Sequence, residues 1–169
     1  MTLTYDEAVA KVTAPGELFE TTQAQVGGVT YTVFKHAPGS VRDLLGLARM
    51  RGDETFLVYE DERWSFAEVM HHVDALASTL VDHYCIAKGD RVSIGMRNYP
   101  EWVISYAAIL SVGAIAVSLN AWWTEDELNY ALADSGSSLL IADDERAERA
   151  AKLGVPILGV RGAASGDRW

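Results

Sequence analysis

The segment "RNYPEWVISYAAILSVGAIAVSLNAWW", residues 97–123, restricts the fold of this chain more than any other stretch. Between Trp102 and Leu119 it carries no charged side chain, and an uncharged apolar run of about 18 residues is where a membrane-spanning helix first becomes feasible. Its punctuation argues otherwise. Asn98 or Tyr99 can cap a helix, and Pro100 falls in the first turn, where a missing N–H costs little. Val103, Ile104, Ala107, Ala108 and Leu110 form one broad helical face, and Gly113 stands where a helix end takes a left-handed residue. "AIAVSL", short and partly β-branched, then reads as a buried strand bounded by Asn120. A helix that stops at Gly113 spans about 20 Å at 1.5 Å per residue, too little for a bilayer core. Two buried elements of a soluble fold are expected, with no transmembrane segment.

The same reading extends along the chain. "VGGVTYTVFKHAP" alternates Val29, Tyr31 and Val33 against Thr30, Thr32 and Phe34, a strand beside a Gly-Gly turn. "SVRDLLGLARMRGD" reads as a short helix capped by Ser40 and stopped by Gly52. "TFLVYEDERWSF" reads as a hairpin turning at Glu60–Glu62. Two helix starts share one grammar: Ser65 answered by Glu68, with Trp64 stapled onto Val69, and Thr124 answered by Glu127, with Trp123 stapled onto Leu128. The first helix should bury Val73, Leu76, Leu80 and Tyr84, and the second should end near Asp134–Gly136. The apolar runs "RVSIGM", "AIAVSL", "SLLIA" and "VPILGV" alternate with helices, including "DDERAERAAKLG", whose acidic start and Lys152 suit its dipole. Buried strands separated by helices predict an α/β fold: a mainly parallel sheet with helices on both faces, preceded by an N-terminal β-hairpin arm. The expected organisation is an arm over 1–39, an α/β subdomain over 40–162, and a truncated end over 163–169.

With 169 residues, 49% apolar and 22% charged, the chain is long enough for one substantial core. A formal charge of −10 disfavours nucleic acid and anionic bilayers, which require a basic face. The single cysteine, Cys85, excludes an internal disulfide and suits a reducing compartment. Its apolar and aromatic neighbours predict a packed thiol rather than a nucleophile. The acidic, mixed N-terminus lacks a signal-peptide pattern, which points to the cytoplasm.

The chemistry-bearing residues mostly have simpler readings. Adjacent His71 and His72 diverge by about 100° on a helix, and His83 lies turns away, so no metal site is expected. Asp143, Asp144 and Glu145 read as helix N-terminal charges rather than a cation site. Ser135–Gly136–Ser137–Ser138 reads as a turn rather than a phosphate grip, because no Lys or Arg follows and a strand comes next. Trp122 and Trp123 could line an apolar pocket, although one of them serves as the staple. Neither a dinucleotide fingerprint, a Walker A loop nor a nucleophile elbow occurs. No catalytic, cofactor-binding or metal residue is expected.

Taken in order, "FLVYEDERWSFAEV", "KGDRVSIGMRNYPEWVISYAAILSVGAIAVSLNAWW" and "DELNYALADSGSSLLIAD" resemble the acyl-adenylate-forming (AMP-dependent) ligases, and within them the fatty acyl-CoA synthetases. The resemblance covers roughly residues 16–162. It implies a fatty acid activated by ATP with Mg²⁺ to an acyl-adenylate, then transferred to coenzyme A. The family's Ser/Thr/Gly-rich phosphate loop, adenine segment, ribose-binding Asp and mobile-domain Lys are absent, so ATP, Mg²⁺ and coenzyme A are not expected to bind these residues alone. What is present resembles the first subdomain, which supports one wall of the active site and part of the acyl entrance, with Trp122 and Trp123 as candidate lining residues. Two positions depart from the family: Ser118 stands where Pro is usual, and Cys85 where Gly is common. An uncovered apolar face would favour self-association. The alternatives are a stand-alone binding or interaction module derived from such a ligase, and a small regulatory α/β domain.

Overall fold

The structure, a computed structural model, describes residues 3–152, 154–162 and 167–168. It divides into two compact units, residues 1–43 and 44–169.

In the first unit a helix not anticipated from the sequence, α1 (Tyr5–Val12), opens on a complete capping box. Thr4 Oγ1 accepts from the Glu7 N–H at 3.3 Å, and the Glu7 carboxylate accepts from the Thr4 N–H at 2.8 Å. The Thr4 N–H, and then the Thr4 hydroxyl donating at 2.9 Å, hold the Glu7 carboxyl below the usual carboxylate range. The signal was available: "TYDE" has the same Ser/Thr-x-x-Glu spacing as the two starts recognised later. Strands β1 (Thr21–Val26) and β2 (Val29–Phe34) form an antiparallel hairpin closed by Gly27–Gly28, both at positive φ. The expected alternation is present, yet neither face is buried: Val29, Tyr31 and Phe34 are all about half exposed.

Ser40 caps α2 (Val41–Ala48), its Oγ accepting from the Asp43 N–H at 3.1 Å. A 3₁₀ turn over Arg49–Arg51 follows, and Gly52 stops it at positive φ. Strands β3 (Thr55–Tyr59) and β4 (Glu62–Ser65) pair antiparallel around the Glu60–Asp61 turn. Both anticipated capping boxes are formed, on α3 (Phe66–Asp82) and on α5 (Glu125–Ser135). Trp64 and Trp123 pack onto the same clusters as Val69 and Leu128 respectively, as stapling requires.

The remaining elements build the sheet. Strands β5 (Arg91–Gly95), β6 (Ile115–Ser118), β7 (Leu139–Asp143), β8 (Ile157–Val160) and the short β9 (Asp167–Arg168) lie in the order β6-β5-β7-β8-β9, all parallel. Of the expected end segment 163–169, all but β9 lies outside the described residues. Helix α4 (Pro100–Ser111) connects β5 to β6, α5 connects β6 to β7, and α6 (Asp144–Ala150) connects β7 to β8. The uncharged run is therefore two elements, with Gly113 at φ +79° between them. No helix among the described residues is long and apolar enough to cross a membrane.

Side-chain alternation along β7 distributes the two cores. Leu139 and Ile141 join α3, α4, Val92 and Ile94 on one face; Leu140 and Ala142 join α5 and α6 on the other. Strand order runs one way from β5 to β6 with α4 on the first face. It runs the other way from β6 through β7 to β8, with α5 and α6 on the second. A single crossover hand requires this combination. The order reverses between β5 and β7, and their carboxyl ends open a crevice there.

Two expectations change in the surroundings of α3. The helix ends at Asp82, two residues sooner than its apolar stripe implied, so Tyr84 lies beyond it. Cys85 is exposed rather than packed, and its φ is +55°. Sequence neighbours do not determine burial in a chain that has just left its helix; here the wrap puts Ile86 into the core and turns Cys85 outward. A side chain in the left-handed region is strained by about 1–2 kcal/mol, so Cys85→Gly should raise stability by about 0.5–1 kcal/mol after the added entropy of the unfolded chain. Urea titration checks this as a higher midpoint at unchanged slope; a lower midpoint would contradict it.

Candidate functional site

The carboxyl ends of β5, β6 and β7 carry polar chemistry that strands this apolar do not carry elsewhere. β5 runs through buried Val92, Ser93, Ile94 and Gly95 and leaves the core at Met96, so Arg97 and Asn98 emerge at its tip. The loop after β6 presents Asn120, Ala121 and Trp122; Asn120 Oδ1 accepts from the Trp122 N–H at 2.9 Å and fixes the turn. A cleft of about 440 Å³ lies between these loops, lined by Tyr59, Arg97, Asn98, Tyr99, Ala121 and Trp122.

Behind the cleft's lining residues lies a buried ion pair. Asp143 ends β7 and caps α6, its Oδ1 accepting from the Arg146 N–H at 3.1 Å. Its Oδ2 accepts from the Arg97 N–H at 3.2 Å, which ties the tip of β5 to the end of β7. The Arg146 side chain is 2% exposed and that of Asp143 8%, with Nη1 to Oδ2 at 3.3 Å. Arg146 also donates Nε to Ala121 O at 2.7 Å and Nη1 to Glu145 at 2.7 Å, while its Nη2 has no hydrogen-bond partner among the described residues. The Arg97 guanidinium lies 4.7 Å from the Trp122 ring centroid and the Arg146 guanidinium 6.0 Å. Trp122 is 70% exposed. Arg146 is buried and neutralised by Asp143 and Glu145, so the positive charge presented beside the open indole is that of Arg97, a pairing suited to a flat or anionic group.

A second clasp closes the hairpin side. Arg161, just past β8, donates to both carboxylate oxygens of Glu62 at 2.9 and 3.0 Å and from Nε to Glu101 at 2.8 Å. Its guanidinium lies 4.9 and 5.0 Å from the Tyr59 and Tyr99 rings, which meet edge to face. The bond from Arg161, and then that from Trp64, holds the Glu62 carboxyl below the usual carboxylate range; the two glutamates push Arg161 further up. Both tyrosines also line an adjoining apolar cavity of about 220 Å³ with Trp102 and Val103.

The two candidate tryptophans are separated by this geometry. Trp122 lines the cleft. Trp123 packs against the α5–α6 core and borders a different groove, with Val117 and Tyr130. The Asp143–Asp144–Glu145 run is only partly a set of helix-end charges, because Asp143 is a buried partner of Arg146. One signal was legible in "DDERAERA": Arg146 shares the helical face of Ala147 and Ala150, which are both buried. The Ser135–Ser138 segment is a turn around Gly136 at φ +60°, but an arginine does reach it. Arg91, more than forty positions earlier, donates to Ser135 O and Gly136 O at 3.0 Å each and terminates α5. Among the described residues, no group of three or more His, Cys, Asp or Glu could hold a metal ion.

Comparison with known proteins agrees with this architecture. Residues 47–163 match the model of the AMP-binding enzyme family. The 2-succinylbenzoate–CoA ligase of Bacillus velezensis is 32% identical over 101 residues, covering 60% of this chain and 21% of that protein. The long-chain-fatty-acid–CoA ligase of Bacillus subtilis is 34% identical over 101 residues, covering 60% and 18%. The chain thus spans about a fifth of the length of these relatives. Coronafacic acid ligase from Pectobacterium brasiliense superposes with a TM-score of 0.67 at 22% identity, over 75% of this chain and 27% of that one, which shows the fold. Since the family model takes in well over half of the residues, this chain belongs to the AMP-binding enzyme family.

Proposed function

We propose that this chain supplies the first lobe of a cytoplasmic AMP-forming ligase that activates a fatty acid with ATP and Mg²⁺ and passes it to coenzyme A. Residues 1–39 would serve as its arm and 40–162 as the α/β subdomain. The family match over residues 47–163, with relatives named as CoA ligases, carries this reading. Open α/β sheets hold ligands outside the carboxyl ends of their strands, which supports placing the substrate-facing wall at the cleft between the loops after β5 and β6.

The residues described take limited roles in such a reaction. Trp122 offers a face for a planar or acyl group, and Arg97 supplies positive charge beside it. Asp143 and Arg146 hold the two loops at a fixed separation, while Arg161 fixes the tyrosine side. None of them is a general base, nucleophile or metal ligand, so the phosphoryl chemistry would belong to residues outside this lobe. Accordingly, fatty-acid-dependent ATP–pyrophosphate exchange by the 169 residues alone should stay at the no-enzyme baseline. Sustained exchange would place the reaction centre within these residues and overturn the assignment of roles.

A further inference from the structure

A groove of about 570 Å³ runs between the end of β6 and one face of α5, and it shares no lining residue with the cleft. Val117, Trp123, Tyr130 and Ala131 give it apolar surface, and Tyr130 is 71% exposed. Asp126, Glu127 and Asp134 line it as well, and no Lys or Arg does. Glu127 is taken up by the α5 capping box, accepting from the Thr124 N–H at 2.8 Å. Asp126 and Asp134 have no hydrogen bond or ion pair among the described residues. Lys152, whose charge Asp126 feels, is held by Glu125 at 2.6 Å. Asp134 stands one residue from the C-terminus of α5, where the helix dipole disfavours an anion. Arg91 reaches that helix end but donates to the carbonyls of Ser135, Gly136 and Gly89. An anion set against the dipole and left without a cation costs the monomer stability rather than adding to it.

We infer that this groove docks a basic amphipathic helix of a partner protein, its apolar face on Trp123 and Tyr130 and one cation over each of Asp126 and Asp134. Charge complementarity selects this occupant. A second copy would set acidic lining against acidic lining in a chain of net charge −10, and anionic ligands are repelled in the same way. The spacing of the two aspartates sets the partner's pattern. They lie eight residues apart with Tyr130 midway, about 12 Å along the axis at 1.5 Å per residue. A helix lying along α5 has the same rise. It matches this register with Lys or Arg about two turns apart and apolar residues between them.

The probe is a fluorescein-labelled synthetic peptide of about 18 residues, with leucines along one helical face and lysines on both flanks. It is titrated with the full chain and followed by anisotropy. Binding should weaken about tenfold between about 0.05 and 0.5 M NaCl, as the screening length falls from roughly 14 to 4 Å. Tyr130→Ala should weaken it about tenfold, and Asp134→Asn about threefold. Asp134→Asn should at the same time leave the melting temperature unchanged or raised, whereas a structural role would lower it. Glu17→Gln, which removes an exposed charge from the first unit, should alter neither quantity. A peptide carrying glutamate in place of lysine should not bind. Failure of the lysine peptide to bind, equal binding of the two peptides, or affinity indifferent to both Tyr130→Ala and Asp134→Asn would overturn the inference. So would a dimer in sedimentation velocity that Tyr130→Ala disperses, because the occupant would then be a second copy. No ATP, acid or turnover enters the measurement, so its outcome is independent of the ligase reading.

Discussion

Asp143→Ala is expected to be among the most destabilising single substitutions in this chain, costing about 4 kcal/mol. Breaking a buried pair leaves an uncompensated charge and costs about 3–5 kcal/mol. The lower end applies because Glu145 still reaches Arg146 Nη1 from the solvent side. Loss of the α6 cap adds about 1 kcal/mol. Against a total stability of about 5–15 kcal/mol, the variant should melt far below the parent or fail to fold. The cause can be isolated. Adding Arg146→Met to Asp143→Ala removes the stranded guanidinium and should recover a substantial part of the loss in urea titrations. An exposed pair such as Lys152–Glu125 is a suitable control, with less than about 1 kcal/mol expected on its removal. If the double variant is no more stable than the single, burial of the arginine charge is not what makes Asp143 necessary.

The second large effect lies in the core. Ile94 is fully buried in β5, between β6 and β7, and faces α3 and α4. Ile94→Ala should cost about 2–5 kcal/mol from lost transfer energy and the cavity left behind. At Ile115, on the open edge and half exposed, the same change should cost less than about 1 kcal/mol. Equal losses at the two positions, by denaturant titration of dilute monomer, would contradict the strand order.

Much of this architecture was legible because local signals agreed with one another. Three independent features, Pro100, Gly113 and the β-branched "IAV", divided the uncharged run where the chain divides it. Two capping boxes fixed the starts of α3 and α5 to the residue, since a side chain that must reach its third neighbour leaves little freedom in register. Burial was less legible. The hairpin's alternating pattern implied a covered face that neither strand has, because alternation records which residues share a side and not what lies against it. Cys85 failed for a related reason: apolar neighbours in sequence diverge once a helix unwinds.

The site was the least legible part. Trp122 and Trp123 were named together as candidate lining residues, and it is the structure that puts Trp122 on the cleft and Trp123 on a different groove. Tyr59, Arg97 with Tyr99, and Arg161 come from three separate stretches, and only the sheet order brings them to one end. Asp143 was read with Asp144 and Glu145 as a helix N-terminal charge, because the helix begins like an ordinary solvated one, and Arg146 was not singled out. Arg91 acts on the Ser135–Gly136 turn from a neighbouring strand, a relation that no local spacing can express.

The account's central claim, that residues 47–163 are an interchangeable first lobe of an acyl-CoA-forming ligase, is tested most directly by transplantation. The corresponding lobe of the Bacillus subtilis long-chain-fatty-acid–CoA ligase would be replaced by residues 47–163 of this chain, and thioester formation from fatty acid, ATP and coenzyme A followed. The account predicts a working chimera whose kcat/KM falls about tenfold or more on Trp122→Ala, with its melting temperature unchanged. A chimera that folds cooperatively and binds ATP yet makes no thioester would contradict it.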